Sequence, residues 1–277
     1  MKKDDLLGLY EKALPQDVSW EERLLAAKDA GFDFLELSVD ESDERLARLD
    51  WPDQKRWELV EIMYRTGMPL KTMCLSGHRR YPLGSHDPEI RKRSLEIMEK
   101  AIRLACDLGI RIIQLAGYDV YYETGDDSTR AHFLENLTES VRIASSHGVL
   151  LGFETMETPF MDTIGKAMAY VNQVQSPYLG VYPDLGNLTN AAYLYGLSLA
   201  DEFRSGAGHL LAMHIKDTVE GVYRNLQFGE GRVDIAGGVA LARRQGVRCF
   251  VAECWHLGEE DWKGILRRAN GFIRRQF

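Results

Sequence analysis

Three carboxylates and one imidazole recur along the second half of the chain, at spacings that could bring them to one site. Glu154, Asp184, His214 and Glu253 each stand at the end of an apolar segment, 30, 30 and 39 residues apart. Each interval has room for one strand and one helix. If the apolar segments are neighbouring parallel strands, the four side chains meet at one end of the sheet. Three carboxylates and a histidine can bind one divalent metal there.

The simplest alternative for each of these residues alone is a helix cap or a surface charge. The alternation of side chains along a strand argues for a shared site, because all four can point to the same side. The inward side then carries a small residue in three of the four strands: Gly152, Gly180 and Ala212. We expect these positions to leave room for a metal. The same alternation puts Leu210 inside and Leu211 outside.

One sequence pattern repeats along the chain: a predicted helix, a glycine and then an apolar segment. Glycine is favoured just past the end of a helix because it can turn left-handed. The glycines are Gly31, Gly67, Gly109, Gly148 and Gly246. The predicted strands are 6–10, 33–38, 70–75, 111–116, 149–154, 179–184, 210–215 and 248–253. Eight such units in 277 residues predict an α/β protein, a (β/α)8 TIM barrel forming a single domain over 1–277.

The loops that follow the strands are predicted to be long, at 76–87, 117–127, 185–197 and 216–234. Loops at that end carry the active sites of such barrels, so this is the expected active face. A doubly wound open sheet is the structural alternative. It favours a GxGxxG turn after the first strand, which this sequence lacks there.

Composition excludes several classes of function. The net charge of −8 and the pI near 5.5 disfavour a nucleic-acid binder, which usually presents a basic face. No apolar run reaches the ~18 residues of a membrane span. Lys2 and Lys3 precede no long apolar stretch, so we expect no signal peptide. Four cysteines without CxxC spacing indicate free thiols and a cytoplasmic protein.

Seven segments together resemble a known family over nearly the whole chain. They are LGLYEKALP at 7–15, GFDF at 31–34, MCLSGHRRYPLGS at 73–85, IQLAGYDVYY at 113–122, YPDLGN at 182–187, HIKDT at 214–218 and FGEGRVD at 228–234. The chain resembles the xylose-isomerase-like barrel superfamily, which also contains abasic-site endonucleases. Within it, the chain resembles the L-ribulose-5-phosphate 3-epimerases (L-xylulose-5-phosphate 3-epimerases) of bacterial L-ascorbate and pentulose catabolism.

This resemblance implies a metal-dependent isomerase acting on a small sugar phosphate, and a homodimer is common among such barrels. Glu154, Asp184, His214 and Glu253 would bind one divalent ion, which the ligand types leave open among Mn²⁺, Mg²⁺, Zn²⁺ and Co²⁺. Glu154 and Glu253 would also exchange the C3 proton on opposite faces of an enediolate. One position departs from the pattern: many relatives that act on free ketohexoses carry a histidine where this chain has Asn187.

A phosphorylated substrate needs cations on the same face of the barrel. The candidates in the predicted loops are Lys12, His78, Arg79, Arg80, Lys216 and Arg232. Simple solvation is the alternative for the neighbouring Arg79 and Arg80.

Three other functions stay open at this stage. An epimerase or isomerase of an unphosphorylated ketose or cyclitol would use the same site without the phosphate contacts. A non-catalytic sugar-binding barrel would not need two glutamates around a metal. An abasic-site endonuclease would need three clustered zinc ions and more His and Asp ligands, which strands two and four do not supply at their ends.

Overall fold

The computed structural model describes residues 5–277. Residues 1–4, which include the two lysines weighed as a signal-peptide start, lie outside the described residues. Eight parallel strands run through the chain. They are β1 (Leu6–Tyr10), β2 (Phe34–Val39), β3 (Leu70–Leu75), β4 (Ile112–Leu115), β5 (Leu150–Phe153), β6 (Leu179–Val181), β7 (Met213–Ile215) and β8 (Cys249–Ala252).

The strands close into a barrel. Hydrogen-bonded neighbours run in the order β6-β5-β4-β3-β2-β1-β8-β7. The two ends of this order meet through parallel bridges that join Val181 to Leu210 and Asp184 to His214. A parallel sheet that returns to its first neighbour, with helices between the strands, is a (β/α)8 barrel. The predicted fold class is therefore confirmed.

Ten α-helices accompany the strands in the described part of the chain. They are α1 (Trp20–Asp29), α2 (Asp43–Leu46), α3 (Asp53–Thr66), α4 (Pro88–Asp107), α5 (Asp127–Ser146), α6 (Ile164–Val174), α7 (Leu185–Tyr195), α8 (Leu199–Ser205), α9 (Ile235–Arg244) and α10 (Trp262–Arg274). Short 3-10 turns at Glu11–Ala13, Ala47–Asp50 and Gly77–Arg79 lie in the loops after β1, β2 and β3.

One predicted loop is a helix. The segment 185–197 was expected to be irregular, but α7 begins at Leu185, directly after Asp184. The Asp184 side chain accepts a 2.6 Å hydrogen bond from the Asn187 N–H and so caps the helix. Gly196, at φ 66°, ends it in the left-handed conformation. The aspartate needed for the site thus also starts the next helix.

The sheet separates two hydrophobic regions, and these test the predicted alternation of side chains. Tyr182, Ala212 and Val251 fill the barrel interior, as expected. The residues predicted to face the helices do pack in the outer core: Leu151, Phe153, Leu179, Val181, Met213 and Ile215. This packing confirms the predicted inward and outward sides at these positions.

The alternation fails just before β7. Leu210 packs in the outer core rather than inside the barrel. Leu211, expected outside, lies against the inward-facing positions of Gly152 and Gly180. Leu211 and Ala212 therefore both turn inward, because regular pairing of this strand begins only at Met213. The two glycines make room for Leu211 and Tyr182 rather than for a metal.

Within residues 5–277, no helix is both long and apolar enough to cross a bilayer. The four cysteines of the described chain are free, as predicted, and two of them are buried.

Candidate metal centre and active site

The four predicted ligands lie at one end of the barrel. Glu154 and Glu253 directly follow β5 and β8, and His214 lies within β7. Backbone hydrogen bonds to neighbouring strands fix both glutamates: the Glu154 N–H donates to Leu115 O, and the Glu253 N–H to Ile215 O. Asp184 stands three residues past β6 and is held by its N–H to Thr155 Oγ1 at 3.0 Å.

The side chains of these four residues converge. One ligand atom from each lies within 4.8 Å of all the others, and all four residues are buried. The Nδ1 atom of His214 is 3.1 Å from Glu253 Oε2, 3.9 Å from Glu154 Oε1 and 4.0 Å from Asp184 Oδ2. The imidazole therefore presents Nδ1 to all three carboxylates.

Lys216 also lies inside this cluster. Its ammonium group is 3.3 Å from Asp184 Oδ1 and 3.3 Å from Glu253 Oε2. The side chain is almost fully buried, and it lies 5.8 Å from the Trp255 ring centroid. The structure thus puts Lys216 directly beside two of the clustered carboxylates.

Burial and mutual charge make the carboxylates unequal. Burial, together with the negative charge of Glu253, raises the pKa of Glu154 to about 8. Burial raises the pKa of Asp184 to about 7 although Lys216 opposes it. Burial acts on Glu253 in the same direction, but Lys216 and His214 outweigh it and hold the pKa of Glu253 well below its usual value.

The residues present fit a divalent cation. Asp184 Oδ2 is buried and has no hydrogen-bond partner among the described residues, as expected of an oxygen reserved for a ligand. Three ionised carboxylates and one ammonium leave two negative charges, which one divalent ion would neutralise. Three oxygen donors and one imidazole nitrogen suit Mn²⁺, Mg²⁺, Zn²⁺ or Co²⁺.

A cavity opens above the cluster at the mouth of the barrel. It is lined by Tyr10, Lys12, Cys74, Ser76, Arg79, Glu154, Met156, Glu157, Asn187, Lys216, Tyr223, Arg224, Glu253 and Trp255. Asn187 Oδ1 is buried without a hydrogen-bond partner within residues 5–277, so it is an acceptor that a substrate hydroxyl could use.

Three of the six predicted phosphate-binding residues line this cavity: Lys12, Arg79 and Lys216. Lys12 forms a 2.5 Å ion pair with Asp40. Arg79 lies over the ring of Tyr121 at 4.8 Å and donates to Tyr118 Oη at 3.3 Å. Lys12 and Arg79 lie on two different sides of the barrel mouth. Lys12 lies beside β1, on what is called the Lys12 flank, and Arg79 lies beside β3.

The other three lie elsewhere. His78 is buried with Nε2 3.1 Å from Ser94 O, and burial lowers its pKa to about 4, so it carries no charge at neutral pH. Arg80 points to solvent and pairs with Asp43. Arg232 lies 4.3 Å from the ring centroid of Tyr193. None of these three is among the described residues that line the cavity.

The sequence analysis missed two buried groups beside the site. Glu36, in the middle of β2, lies with Oε1 2.6 Å from His214 Nε2. It was overlooked because only the last residues of each strand were considered. Glu11, directly after β1, contacts three buried arginines: Arg23, Arg45 and Arg48. A glutamate inside an otherwise apolar strand is the signal that could have identified Glu36.

Known proteins share this fold. The family model described as "Xylose isomerase-like TIM barrel" matches residues 24–276. Among solved structures, D-psicose 3-epimerase with D-tagatose from Clostridium cellulolyticum H10 aligns with a TM-score of 0.80 at 19% identity, over 98% of each chain. An L-ribulose 3-epimerase aligns with a TM-score of 0.76 at 18% identity, over 98% of this chain and 92% of that one. At these identities the likeness concerns the fold alone.

A curated relative is much more similar in sequence. L-ribulose-5-phosphate 3-epimerase UlaE of Shigella boydii serotype 18 (strain CDC 3083-94 / BS512) is 45% identical over 276 residues, which is 99% of this chain and 95% of the relative. The chain therefore belongs to the UlaE family of xylose isomerase-like TIM barrels. Membership places it among the isomerases, as the sequence analysis predicted.

Proposed function

We propose that this protein interconverts L-xylulose 5-phosphate and L-ribulose 5-phosphate by inverting C3, using one divalent metal. The observation that carries the proposal is the buried cluster of Glu154, Asp184, His214 and Glu253 at the barrel mouth. The 45% identity to a UlaE supports the choice of substrate.

The proposed chemistry is proton exchange at C3. The proton there is acidic because C3 adjoins the C2 carbonyl. When bound, the divalent cation would stabilise the negative charge that develops on the substrate oxygens. One glutamate carboxylate accepts the C3 proton and leaves a planar enediolate. The other glutamate, as a carboxylic acid, donates a proton to the opposite face of C3, so the centre is inverted with no net loss of atoms.

Glu154 and Glu253 suit these two roles because their environments differ. Lys216 and His214 favour the ionised form of Glu253, whereas burial favours the protonated form of Glu154. Two carboxyls with opposed proton affinities form an acid and base pair. Lys216 would help to hold the developing negative charge from its position between Asp184 and Glu253.

Proton NMR in D₂O tests this function. The protein, first stripped of metal by a chelator, is mixed with L-xylulose 5-phosphate with and without added Mn²⁺. We expect the C3 proton signal to disappear and L-ribulose 5-phosphate to form only with metal. Retention of the C3 proton with metal bound would overturn the proposed reaction and redirect the search to unphosphorylated ketoses.

We propose that the substrate phosphate binds on the Lys12 flank. A second cavity shares Lys12 and Trp255 with the first and is lined further by Arg45 and His256, among others. Arg45 is buried, and its Nη1 makes no hydrogen bond within the described chain. Nη1 lies 3.2 Å from Glu11 Oε1, and a guanidinium group with such a contact can still donate to a phosphate oxygen.

The charge of this flank supports the same location. Three arginines surround the single carboxylate of Glu11, and Lys12 pairs with Asp40. Four cations against two anions leave an excess of two positive charges, in a chain whose total is −8. Arg79, beside β3, donates from Nη2 to Tyr118 and lies over the Tyr121 ring, and its Nε has no hydrogen-bond partner among the described residues. A phosphate dianion would balance the Lys12 flank.

Lys12→Ala tests the phosphate site against Arg79→Ala as a matched control. We expect Lys12→Ala to raise KM for the sugar phosphate by about tenfold, since one charge-assisted contact is lost. KM for unphosphorylated L-ribulose should stay unchanged. If Arg79→Ala alone shows this pattern, the phosphate binds on the opposite flank.

We propose that the protein is a cytoplasmic homodimer and that it binds neither nucleic acid nor membranes. The end of α7 and the turn after it expose a group of large apolar side chains: Tyr193, Leu194, Tyr195 and Leu197. Such groups often mark interfaces. Light scattering during size-exclusion chromatography would give the mass, and Leu194→Glu should lower it if this surface forms the dimer.

An abasic-site endonuclease finds no support. In the part of the chain that the structure describes, the cluster at the barrel mouth is the one group of His, Cys, Asp and Glu side chains arranged for a metal. A site with three zinc ions would need further ligands around it.

A further inference from the structure

The glutamate in the middle of β2 reaches across the barrel to the histidine of the metal site. Glu36 is fully buried, and its Oε1 lies 2.6 Å from His214 Nε2, although 178 residues separate the two in sequence. Its Oε2 accepts hydrogen bonds from Thr72 Oγ1 at 2.7 Å and Tyr182 Oη at 2.9 Å. Each carboxylate oxygen therefore has its own partner or partners.

An irregularity in the pairing of β2 with β3 helps to position this glutamate. The pairing of β2 with β3 shifts between Leu35 and Glu36, so that Lys71 is an extra residue on β3 and Glu36 stands opposite Thr72. Such a bulge redirects side chains near functional sites. Here it aligns the carboxylate with the hydroxyl that holds it. Glu36 shares the barrel interior with Phe34, which is two residues away on the same face.

The contact with Glu36 decides which nitrogen of His214 can bind a metal. A carboxylate only accepts hydrogen bonds, so His214 Nε2 must carry the proton that joins it to Glu36. Nδ1 lies 3.1 Å from Glu253 Oε2 and would lose its own proton when a metal binds there, so in the metal-bound, neutral imidazole the remaining proton occupies Nε2. Nδ1 is the atom that faces Glu154, Asp184 and Glu253.

We propose that Glu36 is a positioning residue that holds His214 in the tautomer and orientation required for metal binding. This inference rests on the metal site of the proposed function. The carboxylate also increases the basicity of the imidazole and so strengthens its bond to a metal. Tyr182 and Thr72 both donate to Oε2 of Glu36, so the Tyr182 hydroxyl alone still holds that oxygen while Oε1 contacts the ring.

Metal affinity measured without substrate tests this role. We compare Glu36→Gln with the wild type by competition of Mn²⁺ or Zn²⁺ with a chromophoric chelator. The amide of the glutamine can donate to His214 Nε2 and thereby favour the proton on Nδ1, where it blocks the metal. We expect the affinity to fall by about 10- to 100-fold. Thr72→Val is the matched control because it removes a hydrogen bond to the same carboxylate but leaves the histidine contact; we expect its affinity to stay within about twofold.

A second readout separates positioning from a purely structural role. At saturating Co²⁺, the visible absorption bands of Glu36→Gln should be shifted from those of the wild type, whereas Thr72→Val should give the wild-type spectrum. Equal affinity and equal spectra for Glu36→Gln and the wild type, with both folded, would overturn the role of Glu36 but leave the metal site standing. A wild type that binds no divalent metal would overturn the site and this role together.

Discussion

The two halves of the barrel mouth contribute different things to the site. The half formed by β5 to β8 supplies the four predicted ligands, and its carboxylates face one another with an oxygen of Asp184 left unpaired within the described residues. The half formed by β1 to β3 supplies Glu11 and Glu36, whose oxygens are fully engaged by arginines, hydroxyls and an imidazole.

This difference suggests that the β5–β8 half carries the proposed chemistry and that the β1–β3 half positions the groups around it. Three buried carboxylates that share one ammonium group and one imidazole are costly unless a further cation or a proton joins them, so the β5–β8 half is suited to bind a cation and to exchange protons. Carboxylates with every oxygen paired are held rigidly, so the β1–β3 half orients groups and provides positive charge. We therefore expect substitutions in the β5–β8 half to remove activity. Substitutions in the β1–β3 half should change stability, metal affinity or KM.

The largest expected effect belongs to Glu154 and Glu253, the two glutamates proposed to exchange the C3 proton. Glu253→Gln keeps the size of the side chain but removes the base, and should lower kcat by about 10³-fold or more. The circular dichroism spectrum should match that of the wild type. Bound metal is measured in parallel, because Glu253 is also a proposed ligand. Near-normal turnover by this variant would contradict the division between the two halves.

Metal removal should have an effect that depends on pH. Burial raises the pKa of Glu154 to about 8 and that of Asp184 to about 7, so both bind protons more tightly in the metal-free folded state than in the unfolded chain. That contribution to stability is present below the ordinary carboxyl pKa and is lost as pH rises through 7 to 8. The metal replaces these protons.

The rise in Tm on adding Mn²⁺ to chelator-treated protein should therefore be larger at pH 8 than at pH 6. Thermal melts with and without metal at the two pH values measure this difference. An equal rise in Tm at both pH values would mean that protons do not compete with the metal for these carboxylates.

Loss of the buried carboxylate of Glu11 should mainly affect folding. Glu11→Gln leaves Arg23, Arg45 and Arg48 around a neutral amide and should lower the free energy of unfolding by about 3–5 kcal/mol. Burial acts to raise the pKa of Glu11, but the arginines, Arg48 first, outweigh it and lower that pKa. The contribution is thus complete above the ordinary glutamate pKa and is lost as pH falls through the lowered value.

Urea denaturation at pH 7 measures this change. Glu139→Gln is a fitting control, since it breaks an exposed pair with Arg142 and should cost less than about 1 kcal/mol. Metal affinity should remain that of the wild type in both variants. A large loss of metal binding in folded Glu11→Gln would show that Glu11, which contacts none of the proposed ligands, also supports the metal site.

The smallest effects should come from the loop cations that lie away from the cavity. Arg80 pairs with Asp43 in solvent, and Arg232 lies over Tyr193. Alanine at either position should change KM for the sugar phosphate by less than about twofold, since exposed pairs contribute little. Steady-state kinetics with the purified variants decides this. A tenfold rise in KM for Arg232→Ala would mean that its loop moves over the barrel mouth when substrate binds.

Much of the fold was predictable because it depends on local signals. The glycines after helices and the apolar segments identified all eight strands, and β1 and β3 were predicted with their observed bounds. Errors arose where neighbours decide the conformation. Asp184 converts the predicted loop 185–197 into α7 by capping it. Leu211 turns inward because Gly152 and Gly180 leave it space.

By itself, the sequence determined the barrel, the four residues that converge on one end of it and the family. These follow from strand periodicity and from residues at strand ends, which parallel pairing must bring together. The packed barrel was needed to see that Lys216 joins the carboxylates, that Arg232 lies outside the cavity and that Glu36 reaches His214. The Glu36 contact crosses the barrel between distant parts of the chain, and the other two placements depend on how the loops after the strands pack rather than on any local spacing.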